Sequence, residues 1–123
     1  MARILIVDDS NTEIHVFTRM LEKHGHEVLV AKDGQKGLDL AVSQTPDLIL
    51  MDIVMPGMDG FQATRRISTN PTTKHIPIIM ISTKDQETDQ IWAMRQGATA
   101  YIIKPIDEYT LTNMVKDILI AKR

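Results

Sequence analysis

The chain has 123 residues, of which 43% are hydrophobic and 24% charged, a composition typical of one soluble globular domain with a single core. The net charge of -2 argues against nucleic-acid binding, and no apolar run approaches the roughly 20 residues of a membrane span. The absence of cysteine excludes disulfides, thiolate metal sites and cysteine nucleophiles. The N-terminus lacks the features of a signal peptide, so we expect a cytoplasmic location.

Five short apolar runs predict β-strands. They are rich in branched side chains, mostly continuous rather than alternating, and separated by longer segments of helical period. This pattern is typical of a parallel sheet covered by helices on both faces. Repeated strand–helix units imply right-handed crossovers and therefore a doubly wound α/β fold. The five runs are residues 4–7, 28–31, 48–51, 78–81 and 101–103.

The segments between these runs carry the signals of five helices. Ser10-Asn11-Thr12-Glu13 is a capping-box sequence, in which the Ser10 hydroxyl and the Glu13 carboxylate can reciprocally accept hydrogen bonds from orphan amides. Gly25 fits the position after the first helix, and Asp107 can cap the fifth. The residues assigned to helices by their spacing are Ile14, Phe17, Met20 and Leu21 in the first, Leu38, Ala41 and Val42 in the second, Phe61, Thr64, Ile67 and Ser68 in the third, Ile91, Met94 and Arg95 in the fourth, and Leu111, Met114, Val115, Ile118 and Leu119 in the fifth.

Polar side chains follow four of the five predicted strands. Because the carboxyl ends of parallel strands meet at one edge of a sheet, we expect three carboxylates, hydroxyls and an ammonium group to share one crevice. Such a set suits Mg2+ and a phosphoryl group, since crowded carboxylates repel each other unless a cation compensates their charge. These residues are Asp8 and Asp9 after the first strand, Asp52 after the third, Ser82 and Thr83 after the fourth, and Lys104 after the fifth.

Taken jointly, these motifs resemble the receiver domains of bacterial two-component response regulators. The resemblance implies a five-stranded (βα)5 flavodoxin-like fold with the strand order 2-1-3-4-5. It covers the chain as a single receiver domain, residues 1–123, with no output domain. Several segments are most similar to stand-alone members that serve type IV pilus (twitching) motility or chemotaxis-like signalling. The motifs are Asp8-Asp9, Asp52 before Met55-Pro56-Gly57-Met58-Asp59-Gly60, Ser82, Gly97-Ala98 and Lys104-Pro105.

The resemblance implies a chemical role for each residue of the crevice. Asp52 would be the nucleophile that accepts a phosphoryl group from a histidine kinase, of the CheA-like type. Asp9 and Asp52 would ligate Mg2+ directly, Asp8 through a water, and Val54 through its backbone carbonyl. Lys104 would pair with Asp52 and then with the phosphoryl oxygens. Transfer would then depend mainly on positioning and charge neutralisation.

The resemblance also implies a conformational switch. Ser82 would be the switch hydroxyl, and Tyr101 the aromatic residue whose rotamer follows its movement. The face formed by the fourth helix, fifth strand and fifth helix would then recruit a protein target. We expect a monomer that neither binds nucleic acid nor enters a membrane. The Lys104-Pro105 bond matches a cis peptide of the family.

Three positions raise more specific questions. The methyl group of Thr83 can narrow access to the phosphoryl group. Val54 cannot hydrogen-bond an attacking water, which predicts slow spontaneous hydrolysis. Trp92 fits two interpretations equally, as a side chain partly buried in the fold or as an exposed aromatic anchor on the signalling face.

The sequence leaves alternative functions to be weighed. Signalling by protein contact and draining of phosphoryl groups from a kinase shared with another receiver are not separated by any motif. A Mg2+-dependent phosphohydrolase with an Asp nucleophile is disfavoured because Val54 stands where its second Asp is expected. A flavin carrier is disfavoured because the acidic first loop would repel the cofactor phosphate. We therefore expect a signalling domain with, at most, slow self-dephosphorylation rather than an enzyme.

Overall fold

A computed structural model describes residues 1–122, which form alternating strands and helices. No helix in this range combines the length and the apolar character needed to cross a bilayer. The predicted runs all fall on or next to the observed strands. In chain order the elements are β1 Arg3–Val7, α1 Asn11–Lys23, β2 Glu27–Ala31, α2 Gly34–Gln44, β3 Leu48–Asp52, α3 Gly60–Thr69, β4 Ile78–Ser82, α4 Glu87–Arg95, β5 Ala100–Ile103 and α5 Glu108–Ala121.

The five strands form one parallel sheet in the order β2-β1-β3-β4-β5, which confirms the predicted (βα)5 doubly wound fold. One face of the sheet packs against α2, α3 and the buried side of α4, and the opposite face packs against α1 and α5. The direction of winding reverses between β1 and β3. A crevice therefore opens at the carboxyl ends of these two strands, where ligands bind in sheets of this kind.

Continuous burial is a property of the three inner strands. Every residue of β3 and β4 is buried, as is β1 beyond its first residue. The edge strands β2 and β5 are only partly covered, and Val30 and Ile103 expose more than a third of their surface. The pattern of continuous apolar residues thus identified all five strands, although two of them are edges.

In two helices, apolar residues that their spacing groups together differ in burial. In α2, Ala41 is buried and Leu38 packs against the core as predicted, whereas Val42 is exposed and Gly34 and Gly37 complete the buried side. The reason is close packing, since a Cβ atom added to Gly37 would lie 2.8 Å from the side chain of Val7. The predicted α4 residues do lie on that helix, but Ala93 is its buried residue while Ile91 and Met94 are exposed.

Candidate functional site

Strand ends position the side chains of the crevice. Asp8 directly follows β1, and its N–H donates to the carbonyl of Ala31 at 3.0 Å, which continues the β1–β2 ladder by one residue. Lys104 follows β5 in the same way, with its N–H donating to the carbonyl of Ser82 at 2.8 Å. Asp52 is the last residue of β3 and lies between them in the sheet. Asp8, Asp52 and Lys104 therefore lie at the same carboxyl edge of the sheet.

Three carboxylates converge in this crevice. Asp8, Glu13 and Asp52 each offer an oxygen atom, and the three oxygens lie within 4.8 Å of one another. Asp8 and Asp52 are buried, and Glu13 is partly exposed. Asp9 lies outside this cluster with an exposed side chain, although its charge is close enough to raise the pKa of Asp52.

Lys104 provides the positive charge of the site. Its Nζ atom lies 3.1 Å from Oδ1 of Asp52 and 2.6 Å from Oε2 of Glu13. Burial acts to lower the pKa of Lys104, but the hydrogen bonds with Glu13 and Asp52 outweigh burial and hold the pKa above its usual value. The side chain of Lys104 is only 15% exposed. The ammonium group is therefore a fixed charge between two carboxylates.

Burial and mutual repulsion perturb the carboxylates themselves. Burial raises the pKa of Asp8 to about 7. The hydrogen bond from the Ser10 N–H acts to lower it, whereas the hydrogen bond with Glu13 and the charges of Asp52 and Glu13 raise it further. Burial also raises the pKa of Asp52, although Lys104 acts in the opposite direction. A carboxyl group whose pKa lies near neutrality in a crevice is typical of a functional site.

Glu13 was not among the predicted site residues. The sequence placed it in a reciprocal capping box, and half of that prediction is correct, since the Ser10 hydroxyl accepts a hydrogen bond from the Glu13 N–H at 3.3 Å. The reciprocal half is wrong because the Ser10 N–H donates to Oδ1 of Asp8 at 2.9 Å instead. The Glu13 carboxylate is thereby free to reach Lys104. Its position in the first turn of a helix that starts at a strand end was the available signal.

The predicted switch residues Ser82 and Tyr101 are connected through the loop after β4. The buried Ser82 hydroxyl accepts a hydrogen bond of 3.1 Å from the N–H of Lys84. The Tyr101 phenol donates a hydrogen bond of 2.8 Å to the carbonyl of Lys84. Both side chains therefore hold the same loop residue.

Thr83 and Val54 lie at the rim of the site. Thr83 is exposed and lines a groove of about 430 Å³ together with Glu13, Lys104 and Pro105. The bond between Lys104 and Pro105, two residues that line this groove, is cis. Val54 follows Asp52 by two residues and is 61% exposed. Thr83 and Val54 are thus both exposed to solvent and lie close in the chain to strand-end residues of the crevice.

Gly60 fixes the loop that carries Val54. Its N–H donates to the carbonyl of Ile53 at 2.8 Å, so the first residue of α3 lies directly against the end of β3. A Cβ atom at this position would lie 2.2 Å from the carbonyl oxygen of Asp52. Only glycine therefore permits this close approach of α3 to the backbone of Asp52.

The residues present fit a bound magnesium ion. Carboxylate oxygens are the ligands that this hard cation prefers, and the three carboxylates that converge here outnumber the Lys104 ammonium group that pairs with two of them. A divalent cation among these oxygens would remove that excess. Asp8, Asp52 and Glu13 are close enough to one another to surround a cation, and Asp9 is adjacent.

Comparison with known proteins identifies the class to which this fold and site belong. Residues 4–116 match the family model of the response regulator receiver domain. The chain belongs to this family. The family resemblance predicted from the sequence is thereby confirmed.

Individual relatives and solved structures resemble this chain over nearly its whole length. Protein PilH of Pseudomonas aeruginosa is 56% identical over 119 residues, which cover 97% of this chain and 98% of PilH. Chemotaxis protein CheY4 of Vibrio cholerae has a similar structure, with a TM-score of 0.90 and 30% identity over 96% of this chain and 98% of that one. The receiver domain of a sensor histidine kinase of P. aeruginosa, described with a magnesium ion coordinated in its active-site cleft, has a TM-score of 0.89 and 29% identity over 96% of this chain and 97% of that one.

Proposed function

We propose that this chain is a phosphorylation switch in which Asp52 accepts a phosphoryl group from a histidine kinase. The observation that carries this proposal is the position of Asp52, a buried carboxylate at the switch point of the sheet with the Lys104 ammonium at 3.1 Å. Membership of the receiver family and the neighbouring acidic groups support it.

Transfer would proceed by attack of an Asp52 carboxylate oxygen on phosphorus. The new P–O bond forms as the P–N bond to the donor histidine breaks, and the bonding electron pair leaves with the ring nitrogen. The Lys104 ammonium stabilises the negative charge on the phosphoryl oxygens in the transition state. Mg2+, held by Asp9, Asp52, the Val54 carbonyl and, through water, Asp8, would supply further charge neutralisation when bound. The crevice contributes positioning and charge, without a general acid or base.

The phosphorylated state would be communicated through Ser82. Its hydroxyl can leave the Lys84 N–H and bind a phosphoryl oxygen, which pulls the loop after β4 towards the site. Tyr101 is attached to the same loop residue and moves with it. The affected surface is the α4-β5-α5 face; the exposed apolar residues of α4 and β5 include Ile91, Trp92, Met94 and Ile103. About half of the Trp92 surface is exposed, which supports its interpretation as an anchor for a protein target.

The biological setting is proposed from similarity. The identity of 56% to PilH over nearly the whole chain, together with the resemblance to stand-alone pilus regulators, supports a role in type IV pilus (twitching) or chemotaxis-like signalling with a CheA-like kinase as donor. We propose a cytoplasmic, monomeric receiver domain. It signals by protein contact, or drains phosphoryl groups from a kinase that also serves another receiver.

Mass spectrometry of the intact protein tests the central step. The native chain and Asp52→Asn are incubated with Mg2+ and acetyl phosphate, which transfers its phosphoryl group to Asp52 with acetate as the leaving group. We expect one added phosphoryl group on the native chain and none on the variant. An equal adduct on both proteins would mean that Asp52 is not the acceptor.

A further inference from the structure

We propose that Glu13 is a positioning residue that competes with the phosphoryl group for Lys104 and thereby slows phosphorylation of Asp52. This inference rests on the proposed phosphoryl transfer to Asp52. In the unphosphorylated protein Glu13 is the closer of the two partners of Lys104, at 2.6 Å against 3.1 Å for Asp52.

The contact is not an ordinary surface ion pair. Exposed ion pairs contribute little to stability because water screens their charges and both side chains lose conformational freedom. Here the Lys104 side chain is 15% exposed and that of Glu13 is 32% exposed, and the ammonium is also bound to the buried Asp52. The chain contains an exposed counterpart in Lys23 and Glu108, which lie 3.4 Å apart with Lys23 70% exposed. The Glu13 pair is therefore the one that is able to affect the chemistry of the crevice.

Local hydrogen bonding explains why Glu13 is free to bind Lys104. A Glu at the third position of a helix normally turns back to the N–H of the capping residue. In this chain the Ser10 N–H is already bound to Asp8 at 2.9 Å, so the Glu13 carboxylate has no capping partner. It extends instead into the crevice, where it lies within 4.8 Å of oxygens of both Asp8 and Asp52.

Phosphorylation increases the negative charge beside the Glu13 carboxylate. When an Asp52 oxygen attacks the phosphorus of acetyl phosphate, a P–O bond to Asp52 forms, the P–O bond to the acetyl group breaks, and acetate leaves with the electron pair. One negative charge at Asp52 is replaced by about two. The phosphoryl oxygens attract Lys104 and repel the Glu13 carboxylate beside it. Glu13 thus stabilises the unphosphorylated state relative to the transition state and the product.

The rate of phosphorylation by acetyl phosphate tests this competition. The variant is Glu13→Gln, which removes the charge but keeps the size of the side chain. Glutamine is also a residue accepted at this position of a helix. The matched control is Glu22→Gln, which removes the same charge from an exposed position on the same helix. Both are compared with the native chain at saturating Mg2+. We expect Glu13→Gln to react about three- to tenfold faster and the control to match the native rate.

A second comparison separates competition for Lys104 from simple repulsion of the donor. Lys104→Met is combined with Glu13→Gln in a double-mutant cycle. If Glu13 acts through Lys104, the acceleration is lost when Lys104 is absent. An acceleration of the same size in the Lys104→Met background would overturn the proposal, because Glu13 would then act directly on the donor.

The remaining outcomes distinguish this inference from the proposed function. If the native chain is phosphorylated on Asp52 and Glu13→Gln reacts no faster, only the role of Glu13 is rejected. If the native chain takes up no phosphoryl group, the proposed function and the role of Glu13 both fail. Circular dichroism and a thermal melt establish that the variant is folded, and the loss rate of the phosphoryl group supplies a second kinetic readout.

Discussion

The side chains of Ser82 and Tyr101 form hydrogen bonds with the backbone N–H and the backbone carbonyl of the same loop residue, Lys84. The Ser82 hydroxyl accepts a hydrogen bond from its N–H at 3.1 Å, and the Tyr101 phenol donates one to its carbonyl at 2.8 Å. A movement of either side chain therefore changes the restraint on the same peptide segment. This geometry connects a residue beside Asp52 with the aromatic residue of β5 by two hydrogen bonds.

We predict that replacing Ser82 by Ala uncouples these two positions. In the native chain, phosphorylation should shift the NMR signals of the Lys84 amide and the Tyr101 ring together. In Ser82→Ala the amide shift on phosphorylation should be much smaller, since the hydroxyl bond is already absent. The cost in the free energy of unfolding should be about 1 kcal/mol, as for one hydrogen bond. Ser43→Ala, exposed on α2, is the control, and equal Lys84 shifts in all three proteins would contradict the coupling.

Loss of Lys104 should destabilise the protein when Mg2+ is absent. Lys104→Met leaves the carboxylates of Glu13 and Asp52 without their shared ammonium group. We expect the free energy of unfolding at pH 7.5 to fall by about 1–3 kcal/mol, less than for a fully buried pair because Glu13 is partly exposed. Added Mg2+ should restore more stability to this variant than to the native chain.

The second lysine–glutamate pair of the chain provides the control for that experiment. Lys23→Met removes the exposed contact with Glu108, which should cost no more than about 0.5 kcal/mol. Both free energies are obtained from urea unfolding in EDTA. Equal losses of unfolding free energy in the two variants would show that the burial of Lys104 adds nothing to the stability of its ion pairs.

The raised pKa of Asp8 predicts an unusual dependence of stability on pH. Its pKa is about 7 in the folded protein and near 3.8 in the unfolded chain, so the folded state binds the proton more tightly. Stability in the absence of metal should therefore decrease as the pH rises from about 4 to 7, and Asp8 should add no further slope above that range. Burial disfavours the ionised form of Asp8, which is also repelled by Asp52 and Glu13 in the crevice.

Asp8→Asn isolates the contribution of Asp8 from those of the other ionisable groups. Thermal unfolding in EDTA at pH 5.0 and pH 7.5 should show a larger decrease in Tm for the native chain than for the variant. With Mg2+ present, the difference between the two pH values should become smaller in the native chain, since the cation replaces the proton. The same Tm decrease in both proteins without metal would exclude Asp8 as its origin.

The strands and the strand-end residues were predictable because each depends on a local signal. Apolar runs of four residues identified β1, β3 and β4, and the polar residue after each run identified its carboxyl end. The partner of the Glu13 carboxylate was predicted incorrectly for the same reason. Its local pattern fits a capping box, whereas its actual partner, Lys104, is 91 residues away in the chain. Contacts at that separation leave no periodic trace in a single sequence.

The exposed face of α4 was equally inaccessible to sequence reasoning. The spacing of Ile91 and Met94 is compatible with a helix, but spacing does not tell which side of the helix meets the sheet. In the structure the small residue Ala93 faces the core and allows α4 to approach it, while Ile91, Trp92 and Met94 are exposed. The composition of the buried side, not the position of the large apolar residues, determined the orientation.

Gly60 should be far less tolerant of substitution than Gly57 in the same loop. A Cβ atom at Gly60 meets the Asp52 carbonyl oxygen at 2.2 Å, whereas Gly57 has open space and only a positive φ of 73°. We expect Gly57→Ala to cost about 1–2 kcal/mol in the free energy of unfolding, and Gly60→Ala about 3 kcal/mol or more. Phosphorylation of Asp52 should also slow markedly only in Gly60→Ala. A similar cost at both positions, measured by urea unfolding, would contradict the predicted clash.

Val54 should govern how long the phosphoryl group persists on Asp52. Val54 is 61% exposed and two residues from the acceptor in the chain. An apolar side chain offers an attacking water no hydrogen bond, so it does not orient the water for attack on phosphorus. Val54→Asn supplies a donor and an acceptor at the same position. We expect loss of the phosphoryl group to become about three- to tenfold faster, which corresponds to roughly one oriented hydrogen bond.

The decay is followed by intact mass after acetyl phosphate is removed, with Val42→Asn on the exposed side of α2 as the control. The control matters because the introduced amide is the same and only its distance from the crevice differs. Acceleration in Val54→Asn alone would assign the effect to water held beside Asp52. An unchanged decay rate in Val54→Asn would mean that Lys104 and the bound cation, rather than this side chain, determine the access of water to phosphorus.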